Sequence, residues 1–169
     1  MMKRVLLALA VLSLVACGQD LELRDGRVAV GDPYECSPDV TTISCVDYRF
    51  GFALVNSGPD PMRGIDGVQI AGPGFELNAN VGCGEVWPWN LDPQTKAVFD
   101  LYLLYEDPNH NQPSILVTCG GPNQFVTVFP PEPLPPAPMA GDFHVKIWGP
   151  YGNQLDPNIA YIASGSATL

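Results

Sequence analysis

Proline and glycine, 18 and 17 of the 169 residues, cut this chain from Cys17 onward into pieces too short for long helices. Short segments of strand character lie between the breaks. Tyr48 to Val55 alternates, with Tyr48, Phe50, Phe52 and Leu54 on one face, and Asn56-Ser57-Gly58-Pro59-Asp60-Pro61 then forces a turn. Ile65–Ala71, Phe75–Ala79, Ile115–Cys119, Phe125–Phe129 and Ile159–Ser164 read as further strands. Ala97–Tyr105 is apolar on both faces apart from Asp100, which predicts a central strand. In Phe143–Trp148 the apolar Phe143, Val145 and Ile147 point one way and the polar residues the other. About eight short strands at this spacing predict an all-β, antiparallel, immunoglobulin-like sandwich with one core.

The Pro-rich run 130–138 is expected to be a stiff, extended crossover between strands. The 31 residues from Met139 to Leu169 are too few for a second core, so residues 33–169 are expected to form one domain. In Leu21–Val30, Asp25-Gly26 between two short alternating arms predicts a hairpin inside an otherwise extended leader, residues 17–32.

The N-terminus adds a compartment. Met1-Met2-Lys3-Arg4 is basic, and the apolar run Val5–Val15 is about half the roughly 20 residues that a spanning helix needs. A basic start, a short apolar stretch and small residues before a cleavage point describe a signal peptide, residues 1–16. Leu14-Val15-Ala16-Cys17 resembles the lipobox of bacterial lipoproteins. The resemblance implies cleavage before Cys17, acylation of its thiol, and residues 17–32 as a lipidated tether on a cell membrane or outer membrane, facing periplasm or exterior. Gly18 after the cysteine, in place of an aspartate, leans towards the outer membrane.

Loss of Lys3 and Arg4 with the signal peptide leaves six basic residues against 18 acidic ones. That balance argues against nucleic acid and against charge-driven adhesion to anionic lipid. Besides Cys17, the chain holds Cys36, Cys45, Cys83 and Cys119, an even number suited to an oxidising compartment. Of the three pairings, Cys36–Cys45 and Cys83–Cys119 are favoured. Zinc is the competing use, but no C-x-x-C or H-x-x-x-H spacing occurs.

Two segments carry a further likeness, confined to Tyr48–Trp89. Phe52-Ala53-Leu54-Val55-Asn56-Ser57-Gly58 resembles the strand-and-turn of immunoglobulin-like bacterial surface modules. Gly84-Glu85-Val86-Trp87-Pro88-Trp89 is similar to a segment of a proteinase-inhibitor-like sandwich family, from which the chain departs in carrying Cys83 and many extra prolines. The resemblance implies the sandwich fold and, by the second segment, proteinase inhibition.

Catalytic constellations are thin. His144 falls on the polar face of its strand, and His110 sits in the loop Asp107–Pro113. No G-x-S-x-G elbow occurs, and Ser164-Gly165-Ser166 reads as a small-residue tail. Asp107, Asn109 and Asn111 have calcium-loop spacing, but Gln112 and Thr118 stand where that pattern needs Gly and Glu. The expectation is no enzyme, no metal and no cofactor. Aromatics are the remaining lead: Trp87 and Trp89 share a side of an extended segment, and Trp148 takes the polar phase of its strand near Tyr151. Exposed aromatics stack on sugars and anchor interfaces, whereas buried ones are core. The expected role is non-catalytic binding: an envelope protein partner first, a polysaccharide on Trp87, Trp89, Trp148 and Tyr151 as the alternative, and proteinase inhibition as the third.

Overall fold

The computed structural model describes residues 21–34, 45–83, 90–105, 114–119, 124–129, 140–150 and 160–169. Strands β1 (Leu21–Val30), β2 (Tyr48–Asn56), β7 (Thr95–Leu104), β8 (Ser114–Thr118) and β9 (Phe125–Val128) form one sheet in the order β1-β2-β7-β8-β9. Strands β4 (Gly67–Gly72), β5 (Phe75–Asn80), β10 (Asp142–Pro150) and β11 (Ala160–Thr168) form the second, in the order β11-β10-β4-β5. The two-residue strands β3 (Met62–Arg63) and β6 (Asn90–Leu91) pair separately. Every ladder is antiparallel.

The fold is thus an all-β, immunoglobulin-like sandwich, with nine strands in its two sheets among the described residues and β3 and β6 paired apart from them. The second sheet has the G-F-C-C′ order of immunoglobulin domains, and β1-β2-β7 follows their A-B-E order. Beyond β7 the chain departs from that plan by continuing as a β8-β9 meander. The chain then passes from β9 to the other sheet at β10, across a segment whose prolines 130–138 lie outside the described residues.

Alternation places the core. In β2 the side chains of Tyr48, Phe50, Phe52 and Leu54 are buried, while Arg49, Gly51, Ala53 and Val55 alternate to the outside. Phe143 of the opposite sheet meets three of the inner rings: Phe50 at 5.3 Å between centroids, Tyr48 at 5.7 Å and Phe75 at 6.2 Å. Offset and edge-on contacts at these separations add to the area such rings bury. Val145 and Ile147 continue the inner face of β10, as the alternation predicts. The turn after β2 is fastened by buried Asn56. Its Oδ1 accepts from the Gly58 N–H (3.0 Å), and its Nδ2 donates to the carbonyls of Asp60 (2.8 Å) and Leu91 (3.1 Å).

Residues 21–30 form no hairpin; they are one strand paired along β2 from Leu21 opposite Asn56 to Val30 opposite Tyr48. Asp25-Gly26 is a bulge in that ladder, with Asp25 at φ 55°. The left-handed conformation that suits a tight turn suits a bulge equally, and the nine-residue β2 offers a partner along the whole length. Leu21 and Leu23 are buried, so residues 21–30, which the sequence reading places in a tether, belong to the sandwich. Ser164-Gly165-Ser166 is likewise no tail but the middle of β11. There the two sheets come together: a Cβ on Gly165 would fall 2.7 Å from Leu23 Cβ, and one on Gly26 would strike the Ser166 carbonyl and the Phe52 ring.

The expected Cys83–Cys119 disulfide is present, with Cα atoms 5.3 Å apart, linking the end of the β4-β5 hairpin to the end of β8. Cys45 is buried and disulfide-bonded; Cys36 and Cys17 lie outside the described residues.

Candidate functional site

Antiparallel register arranges the outer face of the second sheet in rows. Along β10, the outward residues are Asp142, His144, Lys146 and Trp148. Opposite them on β11 stand Thr168, Ser166, Ser164 and Ile162, and on β4 His144, Lys146 and Trp148 face Ala71, Gln69 and Gly67. On β5 the rows end at Glu76, Asn78 and Asn80. One row therefore reads Ser164, Lys146, Gln69, Asn78, and its neighbour runs from Trp148 across Gly67 to Asn80. Such a face normally meets water and is polar. This one carries a half-buried tryptophan among amides.

Gly67 explains how the indole is seated. A Cβ there would lie 2.7 Å from Trp148 Nε1 and closer still to Cε2 and Cζ2. The ring therefore lies against the strand backbone, in the space that any other residue would fill. The Asp66 N–H donates to the Trp148 carbonyl at 2.8 Å, fixing the strand at this point.

Two depressions flank the indole. One, of about 260 Å³, is lined by Gln69, Asn78, Lys146 and Trp148. The other, of about 350 Å³, is lined by Asn78, Ala79, Asn80, Val128, Phe129 and Trp148, and reaches around β5, the last strand of this sheet among the described residues. They share Trp148 and Asn78 and together form an open groove, with Phe129, 42% exposed, at its far end. The amides are pre-set: Gln69 Nε2 donates to Glu76 Oε1 (2.8 Å) and Asn78 Oδ1 (3.0 Å), and Asn78 Nδ2 donates to Glu76 Oε1 (3.4 Å). Further along the face, His144 Nδ1 lies 2.7 Å from Ser166 Oγ, a pairing of directly opposed residues on an exposed surface. Thr168 Oγ1 donates to Asp142 at 2.7 Å.

The other sheet also has an outer depression, of about 480 Å³, over Ala29, Gly51 and Ala53. Arg49 and Asp100 line it and engage each other at 3.1 Å, and that carboxylate raises the Arg49 guanidinium above its ordinary pKa. Arg49 also lies over the Tyr102 ring (5.4 Å), which meets Phe125 edge-on (5.4 Å). This larger depression is also lined by Asp25, Arg27, Phe52 and Val98, and its Arg49 is matched by Asp100. It contains no tryptophan and no side-chain amide, the groups that the Trp148 groove brings together.

Of the sequence-derived site residues, Trp148 is in the groove. Trp87, Trp89 and Tyr151 lie outside the described residues, as do His110, Asp107, Asn109 and Asn111. Sequence reasoning missed Gln69, Asn78, Asn80, Lys146 and Phe129. Only strand register brings them to Trp148, and their alternation phase was the one signal available. Among the described residues, no group of three or more His, Cys, Asp or Glu is placed to hold a metal ion, and no helix is long and apolar enough to cross a membrane. The chain matches no protein family, no curated protein and no solved structure in the three comparisons made.

Proposed function

We propose that this protein is a lipid-anchored, non-catalytic lipoprotein of the cell envelope that binds a carbohydrate in the groove centred on Trp148. One observation carries the ligand class: a half-buried indole seated on the outer face of the sheet, between two depressions lined by Gln69, Asn78, Asn80 and Lys146. A pyranose has apolar C–H faces and a rim of hydroxyls. The face packs on an aromatic ring, and the rim exchanges hydrogen bonds with amides and charged groups.

The anchor rests on Leu14-Val15-Ala16-Cys17 and its likeness to a lipobox. Several acyl chains on one cysteine hold a protein at a bilayer, since each buried CH₂ contributes about 0.8 kcal/mol. With β1 starting at Leu21, three residues separate Cys17 from the first strand. Four residue steps span at most about 14 Å, so the sandwich is carried close to the membrane surface, where tethering raises its effective concentration for envelope ligands.

Calorimetric titration of the purified mature protein with soluble envelope polysaccharides tests this reading. Saturable binding that Trp148→Ala abolishes is expected. Binding undiminished by that substitution would remove the groove from the account.

A protein partner in an envelope assembly is the second reading, and a different surface favours it. The outer face of the five-stranded sheet exposes Val98 (70%) beside the Arg49–Tyr102–Phe125 stack, the aromatic and arginine chemistry of interface anchors. Crosslinking on intact cells would recover one recurrent protein if this surface is used.

A further inference from the structure

We infer that the saccharide held by the Trp148 groove is acidic, with its carboxylate on Lys146; this rests on the carbohydrate reading above. Lys146 is half-buried, whereas Arg27, Arg63 and Lys96 are exposed and can hydrate freely. Among the described residues Lys146 has no ion pair; the salt bridges there join Arg24 to Glu22 and Arg49 to Asp100. Withdrawing a cation from water without a counter-ion is unfavourable.

The acids on the same face stand in other rows than Lys146, Glu76 opposite Ala71 and Asp142 opposite Thr168. Glu76 accepts from Gln69 and Asn78, and Asp142 accepts from Thr168. His144, the other basic side chain on this face of β10, is bonded to Ser166.

The spacing fits a sugar acid. Lys146 and Trp148 are two positions apart on one strand face, roughly 7 Å. A hexuronate ring over the indole would bring its carboxylate within reach of the flexible ammonium, leaving its hydroxyls to Gln69 and Asn78. The acidic chain as a whole repels a polyanion, but at physiological ionic strength that repulsion is largely screened beyond about 8 Å. A short-range pair inside the groove survives.

The test is calorimetric titration of the purified mature protein with oligomers of glucuronate, galacturonate and mannuronate, each beside its methyl ester, which keeps the ring and hydroxyls and removes the charge. At least one acid should bind about tenfold more tightly than its ester, the scale of one charge-assisted hydrogen bond. Lys146→Gln should collapse that ratio to about one, and Lys146→Glu should invert it. Circular dichroism would establish that both variants keep the sandwich. Equal binding of acid and ester by the unaltered protein, or an acid preference that persists in Lys146→Gln, would overturn the inference while leaving the carbohydrate reading in place. Binding of neither form would overturn both.

Discussion

Gly67 is the position at which the groove can be perturbed without altering any group proposed to touch ligand. It lies in ordinary strand backbone, and the indole of Trp148 occupies the place of its missing side chain. Gly67→Ala puts a methyl within 3.0 Å of three ring atoms, so the ring must leave its seat or the strands must separate. Overpacking of this kind costs about 1–3 kcal/mol. Against it, alanine in a strand is worth about 0.5–1 kcal/mol over glycine, through the unfolded chain. The net expectation is a loss of roughly 0.5–2 kcal/mol, measured as a lower urea midpoint at unchanged m-value. In a Trp148→Ala background the clash is gone, and Gly67→Ala should stabilise by about 0.5–1 kcal/mol. The double-mutant cycle therefore predicts a coupling of about 1–3 kcal/mol, equal to the clash itself. Gly67→Ala alone should also weaken carbohydrate binding nearly as much as Trp148→Ala. Additivity within about 0.5 kcal/mol would refute the proposed seating of the indole.

Three other perturbations have defined outcomes. Cys83 and Cys119 are 36 residues apart, and closing a loop of that length corresponds to about 4 kcal/mol in the chain-entropy account; a Cys83→Ala/Cys119→Ala variant should lose stability on that scale in urea unfolding. Burial raises the Tyr105 phenol well above its ordinary pKa, with the neighbouring Tyr48 contributing, and burial also raises Tyr48 itself. The unfolded chain therefore releases these protons first, from about pH 10, so stability is flat below that pH and falls above it by up to about 1.4 kcal/mol per pH unit per group; unfolding midpoints between pH 8 and 11 would show it, and Tyr105→Phe should flatten the slope. Cys17→Ala should release the protein from membranes or leave the signal peptide uncleaved, read by fractionation and mass; unchanged membrane retention would sink the lipid anchor.

How far the sequence discloses the fold depends on the length of each periodic stretch. Tyr48–Asn56 and Phe143–Trp148 are long enough for a period of two to show, and both faces fell as expected. Met62–Arg63 and Asn90–Leu91 are two residues each, too short to carry a period, and they exist because the turn held by Asn56 brings them together. Asp25-Gly26 and Ser164-Gly165-Ser166 differ from the sequence expectation for a shared reason. A glycine that permits two backbones to approach closely looks in one dimension like a glycine that permits a turn or a loose end, and the partners that distinguish them lie outside the local window, β2 for Gly26 and Leu23 for Gly165.

The groove belongs to the same class of long-range facts. The alternation of β10 shows that Trp148 points away from the core, but an outward tryptophan by itself is compatible with a crowded end of the sandwich. What makes it a candidate site is the absence of a side chain at Gly67, the residue directly opposite. A β-branched residue there would have filled the seat, as such residues commonly do in strands, and would have pushed the indole into solvent. Gln69 and Asn78 then stand one row away because β4 and β5 are joined by a short turn that fixes their register. Lys146 enters the row from β10, and among the described residues no salt bridge engages its charge. Each of these conditions follows from the fold: one depression opens on the outer face beside Lys146, and the other turns the edge of β5 past Ala79 and Val128. Function has to be argued from the site and not from the fold, and the groove, which sets an indole beside two amides and an ammonium, is where a ligand should be sought first, before the larger depression over Ala29, Gly51 and Ala53.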